Sequence, residues 1–165
     1  MAYFTKQEAY DSARKAKLST ETYSNKLESI VESQKYQYRF DVFLSHSVKD
    51  AELVLGVVRI LEDMGQKVYV DWVVDQQLSR DSVTKETAET LRNRMKQSSK
   101  LLYLATNNAS SSKWMPWELG YFDGLKSGKV AILPLVDYSF SSFKGQEYLG
   151  LYPALDKDDL RRFLG

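Results

Sequence analysis

Four short apolar runs punctuate the chain: Phe40–Leu44, with one polar interruption at Asp41, then Val68–Val70, Leu101–Leu104 and Val130–Val136. Runs of this length, apolar at nearly every position, predict strands buried on both faces. Helical spacing fills the intervals. Val54, Val57, Val58, Leu61 and Met64 fall on one side of a helix that Gly65 closes. Val83, Thr87, Ala88, Leu91 and Met95 form the inner face of another, which Ser82 can cap. Tyr148–Tyr152 reads as a short fifth strand and Asp158–Leu164 as a closing helix. Ahead of the first run, residues from about Thr5 to Gln34 are polar and helix-prone, with Tyr23, Leu27, Ile30 and Val31 on one stripe. The pattern predicts an N-terminal helical extension, residues 1–36, followed by an α/β domain, residues 37–165. That domain would hold a parallel sheet of about five strands with helices on both faces.

The stretch from Ser110 to Phe122 reads as a polar loop feeding a helix that runs to near Gly128. Its serines offer a cap, and Pro116 belongs near a first turn, where its missing N–H costs at most the first intrahelical bond. The helix start falls between Lys113 and Pro116, so Glu118 lies early in it. Trp114 and Glu118 share a face, one turn from Tyr121 and Phe122. The amino end of a helix favours a charged carboxylate, and surrounding rings exclude water. Such a setting suits the stabilisation of a transient cation.

Composition narrows the partners. The chain's 165 residues allow one domain of ordinary size. Lys and Arg number 23 against 22 Asp and Glu, so no global field attracts nucleic acid or an acidic membrane. No cysteine is present, which excludes disulfides and thiolate metal sites and fits a reducing cytoplasm. The single histidine, His46, speaks against a histidine-based metal centre or triad. No apolar run approaches the roughly 20 residues of a membrane span, and the N-terminus has no signal-peptide core.

In doubly wound sheets, ligands bind beyond the carboxyl ends of the strands. Ser45, His46 and Ser47 fall there after the first strand, Asp71 and Trp72 after the second, and Thr106, Asn107 and Asn108 after the third. The helix carrying Glu118 starts on the same rim. Neither glycine-rich phosphate loop is present, nor a G-x-S-x-G elbow, nor the acidic residues of a phospho-acceptor domain.

Phe40 to Ser47 resembles the first box of TIR (Toll/interleukin-1 receptor) domains. Ser112-Lys113-Trp114 through Glu118-Leu119 resembles the S-x-W-x-x-x-E-L segment of TIR domains that cleave NAD+, and Val130–Val136, with its Pro134, resembles the fourth strand of that fold. The likeness covers roughly Tyr38 to Leu164 and is nearest to bacterial effectors, including those of Thoeris-type antiphage defence. The loop after the second strand, Asp71 to Arg80, has neither the Pro nor the Gly of animal signalling TIR domains, and the Phe-Trp third box is absent.

The resemblance implies a flavodoxin-like TIR fold and an NAD+ nucleosidase, hydrolase or cyclase. It implies Glu118 as the catalytic carboxylate and Phe43, Ser45, His46, Ser47, Asp71, Trp72, Ser112 and Trp114 as substrate-binding residues. It also implies homotypic self-association and a downstream effector that senses the nucleotide product. NAD+ would be the substrate, with no separate cofactor and no metal. Two other readings stay open at this point: a non-catalytic TIR–TIR scaffold, and a nucleoside deoxyribosyltransferase-like enzyme.

Overall fold

A computed structural model of the chain describes residues 2–71 and 84–165. Among the described residues five strands form one sheet: β1 (Phe4–Thr5), β2 (Phe40–Ser45), β3 (Val68–Tyr69), β4 (Ser98–Ala105) and β5 (Val130–Val136). Their order is β1-β5-β4-β2-β3, and every pairing is parallel. Among the described residues six α-helices accompany them: α1 (Lys6–Ala16), α2 (Tyr23–Gln34), α3 (Ala51–Asp63), α4 (Lys85–Lys96), α5 (Trp114–Leu125) and α6 (Lys157–Leu164). The order is that of a flavodoxin-like sheet, with one substitution: the edge place beyond β5 goes to the N-terminal strand.

The strand side chains alternate between two cores. Val42, Leu44, Val68, Leu102, Leu104, Ala131 and Leu133 face α1, α2, α3 and α6. Phe43, Tyr69, Leu101, Tyr103 and Ile132 face α4 and α5. Covering on both sides explains why the strands lack a polar face.

The expected fifth strand at Tyr148–Tyr152 does not form; Glu147–Leu151 is a 3-10 helix. The outer edge of β5 is instead closed in two halves. Ala154 bridges Ile132, and Phe4–Thr5 pair with Leu135–Val136. The segment ahead of residue 37 thus supplies an edge strand and two helices to the shared core. In α1, Ala9 and Ala13 are buried against α3 at Gly56, where an added Cβ would lie 1.9 Å from the Ala9 carbonyl oxygen. Leu53, Leu55 and Gly56, outside the expected stripe, are buried as well, so α3 is covered over more of its surface than the stripe alone required.

At the opposite edge, α2 closes the sheet with a side chain. The buried Gln34 amide donates to the Val70 carbonyl and accepts from the Val70 N–H, both at 3.1 Å, as a neighbouring strand would. Arg94, from the face of α4 next to this edge, acts as a rivet. It donates to the Gln34, Lys35 and Gln37 carbonyls and lies about 5.5 Å from the Phe40 and Tyr69 rings. A guanidinium is weakly hydrated and planar, so it serves both purposes at once. Ser82 and Val83 lie outside the described residues; α4 is capped by Thr84, whose hydroxyl accepts from the Thr87 N–H.

Candidate active site

The sheet has its switch point between β2 and β4, because β3 lies on one side of β2 and β4 and β5 on the other. Crevices open at such points. Ser45, the last residue of β2, is paired in register with Tyr103 on β4, and α5 crosses above them. Helix α5 starts at Trp114, with the Ser112 hydroxyl accepting from the Met115 N–H at 3.2 Å. Pro116 is its third residue, where no intrahelical bond is lost. Glu118 follows in the second turn.

Glu118 has no exposed surface, and the Ser45 hydroxyl donates to its Oε1 at 2.6 Å. Trp114, one turn ahead, and Phe122, one turn behind, are buried in the same layer. The Tyr103 ring closes the layer from β4. Burial pushes the Tyr103 hydroxyl pKa well above its ordinary value; its bond with Tyr148 and the Glu118 charge act the same way. The Tyr103 and Tyr148 hydroxyls lie 3.4 Å apart, and both donate to Gln146 Oε1.

The rim residues read from the sequence gather here to different degrees. Ser45 and Glu118 touch. His46 is fully buried, with Nδ1 3.2 Å from the Ser47 carbonyl oxygen; a carbonyl only accepts, so Nδ1 carries the proton in that contact. Ser47 is buried and its hydroxyl accepts from the Lys49 N–H. Asp71 is buried at the end of the β3 segment, one residue past the Val70 that Gln34 holds. Phe43 is a buried ring two residues before Ser45 on β2, stacked on Tyr69 at 5.2 Å. Trp114 is buried edge-on against Trp117, and its indole N–H has no hydrogen-bond partner among the described residues. Tyr121 leaves the Glu118 face and stacks on Trp117, with the Arg92 guanidinium over both rings. Trp72 lies outside the described residues.

One buried group escaped the sequence reading. Asp50, just ahead of α3, makes no cap; it accepts hydrogen bonds from Thr106 Oγ1 and Asn108 Nδ2. This staple joins the loop after β2 to the loop after β4 across the switch point. The only signal for it was an acid and two polar residues on neighbouring rim loops. Among the described residues, no group of acids or histidines could hold a metal ion, and no helix is long and apolar enough to cross a membrane.

A doubly wound parallel sheet with a buried hydroxyl–carboxylate pair at its switch point, and no phosphate loop, defines a narrow class of α/β domain. The chain belongs to the TIR domain family, whose profile matches residues 42–163. It is 53% identical over 119 residues to the "Probable 3' cyclic ADP-D-ribose synthase ThsB'" of Bacillus cereus (strain MSX-D12), a match covering 72% of this chain and 61% of that protein. It is 32% identical over 94 residues to the "Putative cyclic ADP-D-ribose synthase TIR2" of Cytobacillus dafuensis, covering 55% of this chain and 25% of that protein. The matches therefore span less than two thirds of either relative's length. The crystal structure of the TIR domain of the Toll-related receptor TRR-2 from Hydra magnipapillata superposes with a TM-score of 0.50 at 19% identity, covering 73% of this chain and 86% of that one. That likeness is one of fold.

Proposed function

We propose that the chain breaks the nicotinamide–ribose bond of NAD+ and closes the ADP-ribosyl moiety into a cyclic nucleotide, a signal for antiphage defence read by a downstream effector. The observation that carries this reading is the fully buried Glu118, bonded to Ser45 at the switch point between the two central strands. The names of the two bacterial relatives support the cyclic product.

The chemistry asks little of the protein. Nicotinamide in NAD+ is cationic and leaves neutral, taking the electron pair of the C1'–N bond, so no general acid is needed. The ribose left behind is oxocarbenium-like. A carboxylate in a poorly hydrated layer stabilises that charge far more than it would in water. The Ser45 hydroxyl holds one carboxylate oxygen in place, which fixes the carboxylate beside the developing charge. Ring closure then requires an internal nucleophile of the same ADP-ribosyl chain to attack C1' and lose its proton, while water stays out. The buried layer of Trp114, Phe122 and Tyr103 supplies that exclusion. Because Glu118 has no exposed surface in this state, substrate must part its wall before the ribose reaches it. Self-association of TIR domains is one means of remodelling that wall.

The test is incubation of the pure protein with NAD+, following nicotinamide release and separating the products by chromatography. A cyclic product is expected, with release falling by about a thousandfold in Glu118→Gln, in line with loss of one preorganised electrostatic group. Full turnover in that variant would remove Glu118 from its role. Linear ADP-ribose as the sole product would replace cyclisation by hydrolysis.

A further inference from the structure

A second cleft, of about 500 Å³, lies beside the reacting crevice at the carboxyl ends of β4 and β5, a volume within the range of small-molecule sites. Three distant parts of the chain build it. Its floor is the end of β5 at Leu135 and Val136. One wall is the loop from Thr106 to Ser110, and the other is the segment from Ser141 to Gln146. The pairing of Thr5 with Val136 brings Lys6 to its rim, where Lys6 meets Asp137 at 3.1 Å.

The chemistry of the lining is specific. Lys6 is already neutralised by Asp137, whereas the exposed Lys144 enters no ion pair among the described residues and supplies net positive charge. Ser141 and Ser142, three and two residues before it, also line the cleft. Phe143 adds a half-buried ring between them. Ammonium and hydroxyl groups suit a phosphate, and a ring next to amide side chains suits a heteroaromatic base. At the back of the cleft the Tyr103 and Gln146 side chains are hydrogen-bonded to each other, a pair that offers a donor and an acceptor to ribose hydroxyls.

We infer that this cleft is a second ligand site, distinct from the Glu118 crevice, that takes a phosphorylated ribose compound of nucleotide size, with Lys144 meeting the phosphate. Its occupant touches Tyr103, which is the cross-strand neighbour of Ser45. The inference stands on the cleft's own lining and holds whether or not the chain cleaves NAD+.

Titration calorimetry on the full chain carrying Glu118→Gln tests it, with ADP-ribose as the probe and ribose 5-phosphate and inorganic phosphate as smaller arms. Saturable binding of ADP-ribose is expected, weakened about tenfold or more by adding Lys144→Glu, the loss that follows from removing one charge-assisted contact. Ser142→Asp, a second exposed position, is expected to weaken it likewise. Equal thermal midpoints would show that both variants fold. Binding by ribose 5-phosphate but not by phosphate would assign the hydroxyl contacts as well. Binding unaffected by both substitutions, binding present in the wild type but absent in Glu118→Gln, or no saturable binding at millimolar ADP-ribose would each overturn the assignment. Nicotinamide release is read separately, so failure of the proposed reaction and failure of this site are distinguishable.

Discussion

Ser45 and Glu118 are 73 residues apart in sequence and meet at 2.6 Å. A buried carboxylate is costly unless its oxygens are satisfied, and a hydrogen bond to a charged group contributes about 1.5–3 kcal/mol. Ser45→Ala removes that donor and the orientation it imposes on Oε1. Nicotinamide release from NAD+ is expected to fall by about ten- to a hundredfold, with the circular dichroism spectrum unchanged; unaltered turnover would show that Ser45 does not orient the carboxylate. Tyr103 makes a second residue-level claim. Its pKa is raised from 10.0 in the folded state, so above about pH 10 the unfolded chain loses this proton first and the native state retains it. Its contribution is therefore constant through neutral pH and declines as the pH rises past 10.0 toward the folded value. Urea midpoints of wild type and Tyr103→Phe should run parallel below pH 9 and converge above pH 10, since phenylalanine has no proton to lose. Both members of the Ser45–Glu118 pair were legible as rim positions, because strand ends and an early helical turn can be read from periodicity. Their contact was not, nor was the Asp50 staple, because local pattern carries no information about which loops meet. The anchoring of Arg94 is invisible for a related reason: its partners, the carbonyls at the end of α2 and just beyond it, lie some 60 residues away in sequence.

At the scale of elements, the packing of α1 on α3 rests on the absence of one side chain. Gly56 lets the Ala9 backbone approach so closely that a Cβ would meet its carbonyl oxygen at 1.9 Å, its carbonyl carbon at 2.6 Å and its Cα at 2.9 Å. Those atoms are backbone, so a rotamer change cannot relieve the clash. Gly56→Ala would gain helix propensity of up to about 1 kcal/mol in isolation. In the fold it should still destabilise, by about 2 kcal/mol net, because α1 must lift from α3 and uncover Leu53 and Leu55. Equilibrium urea unfolding checks the sign; a stabilised variant would mean that α1 is not held at this crossing. Periodicity recovered β2, β4, β5, α3 and α6 with small boundary shifts, since each buries a long or strongly patterned face. It could not recover β1. Two residues, Phe4–Thr5, contain no period, and they form a strand only because β5 offers an unfilled edge. The expectation of a strand at 148–152 failed for the complementary reason: half of that edge was already taken by β1.

For the molecule as a whole, the topology makes the start of the chain an integral member of the site's scaffold. Residues 4–5 seal the edge of β5, α1 covers α3, and Gln34 at the end of α2 satisfies Val70 beside Asp71 at the other edge of the sheet. One N-terminal segment therefore reaches both margins of a sheet whose centre holds Ser45 and Glu118. The boundary expected at residue 36 reflects where the TIR resemblance begins, and the family profile starts at residue 42. Removing residues 2–36 would strip two buried alanines and Leu27 from the shared core, expose the β5 edge, and leave the Val70 N–H and carbonyl without partners. Each orphaned buried backbone group costs about 1–3 kcal/mol, and loss of the apolar contacts adds to that. Set against a typical domain stability of about 5–15 kcal/mol, the sum is large enough to unfold the remainder or leave it prone to edge pairing. The truncated chain should accordingly lack a cooperative thermal transition and migrate as aggregate in gel filtration. A monomeric fragment of residues 37–165 that melts cooperatively and still releases nicotinamide would show instead that the extension is dispensable, and that β2 to α6 complete the crevice by themselves.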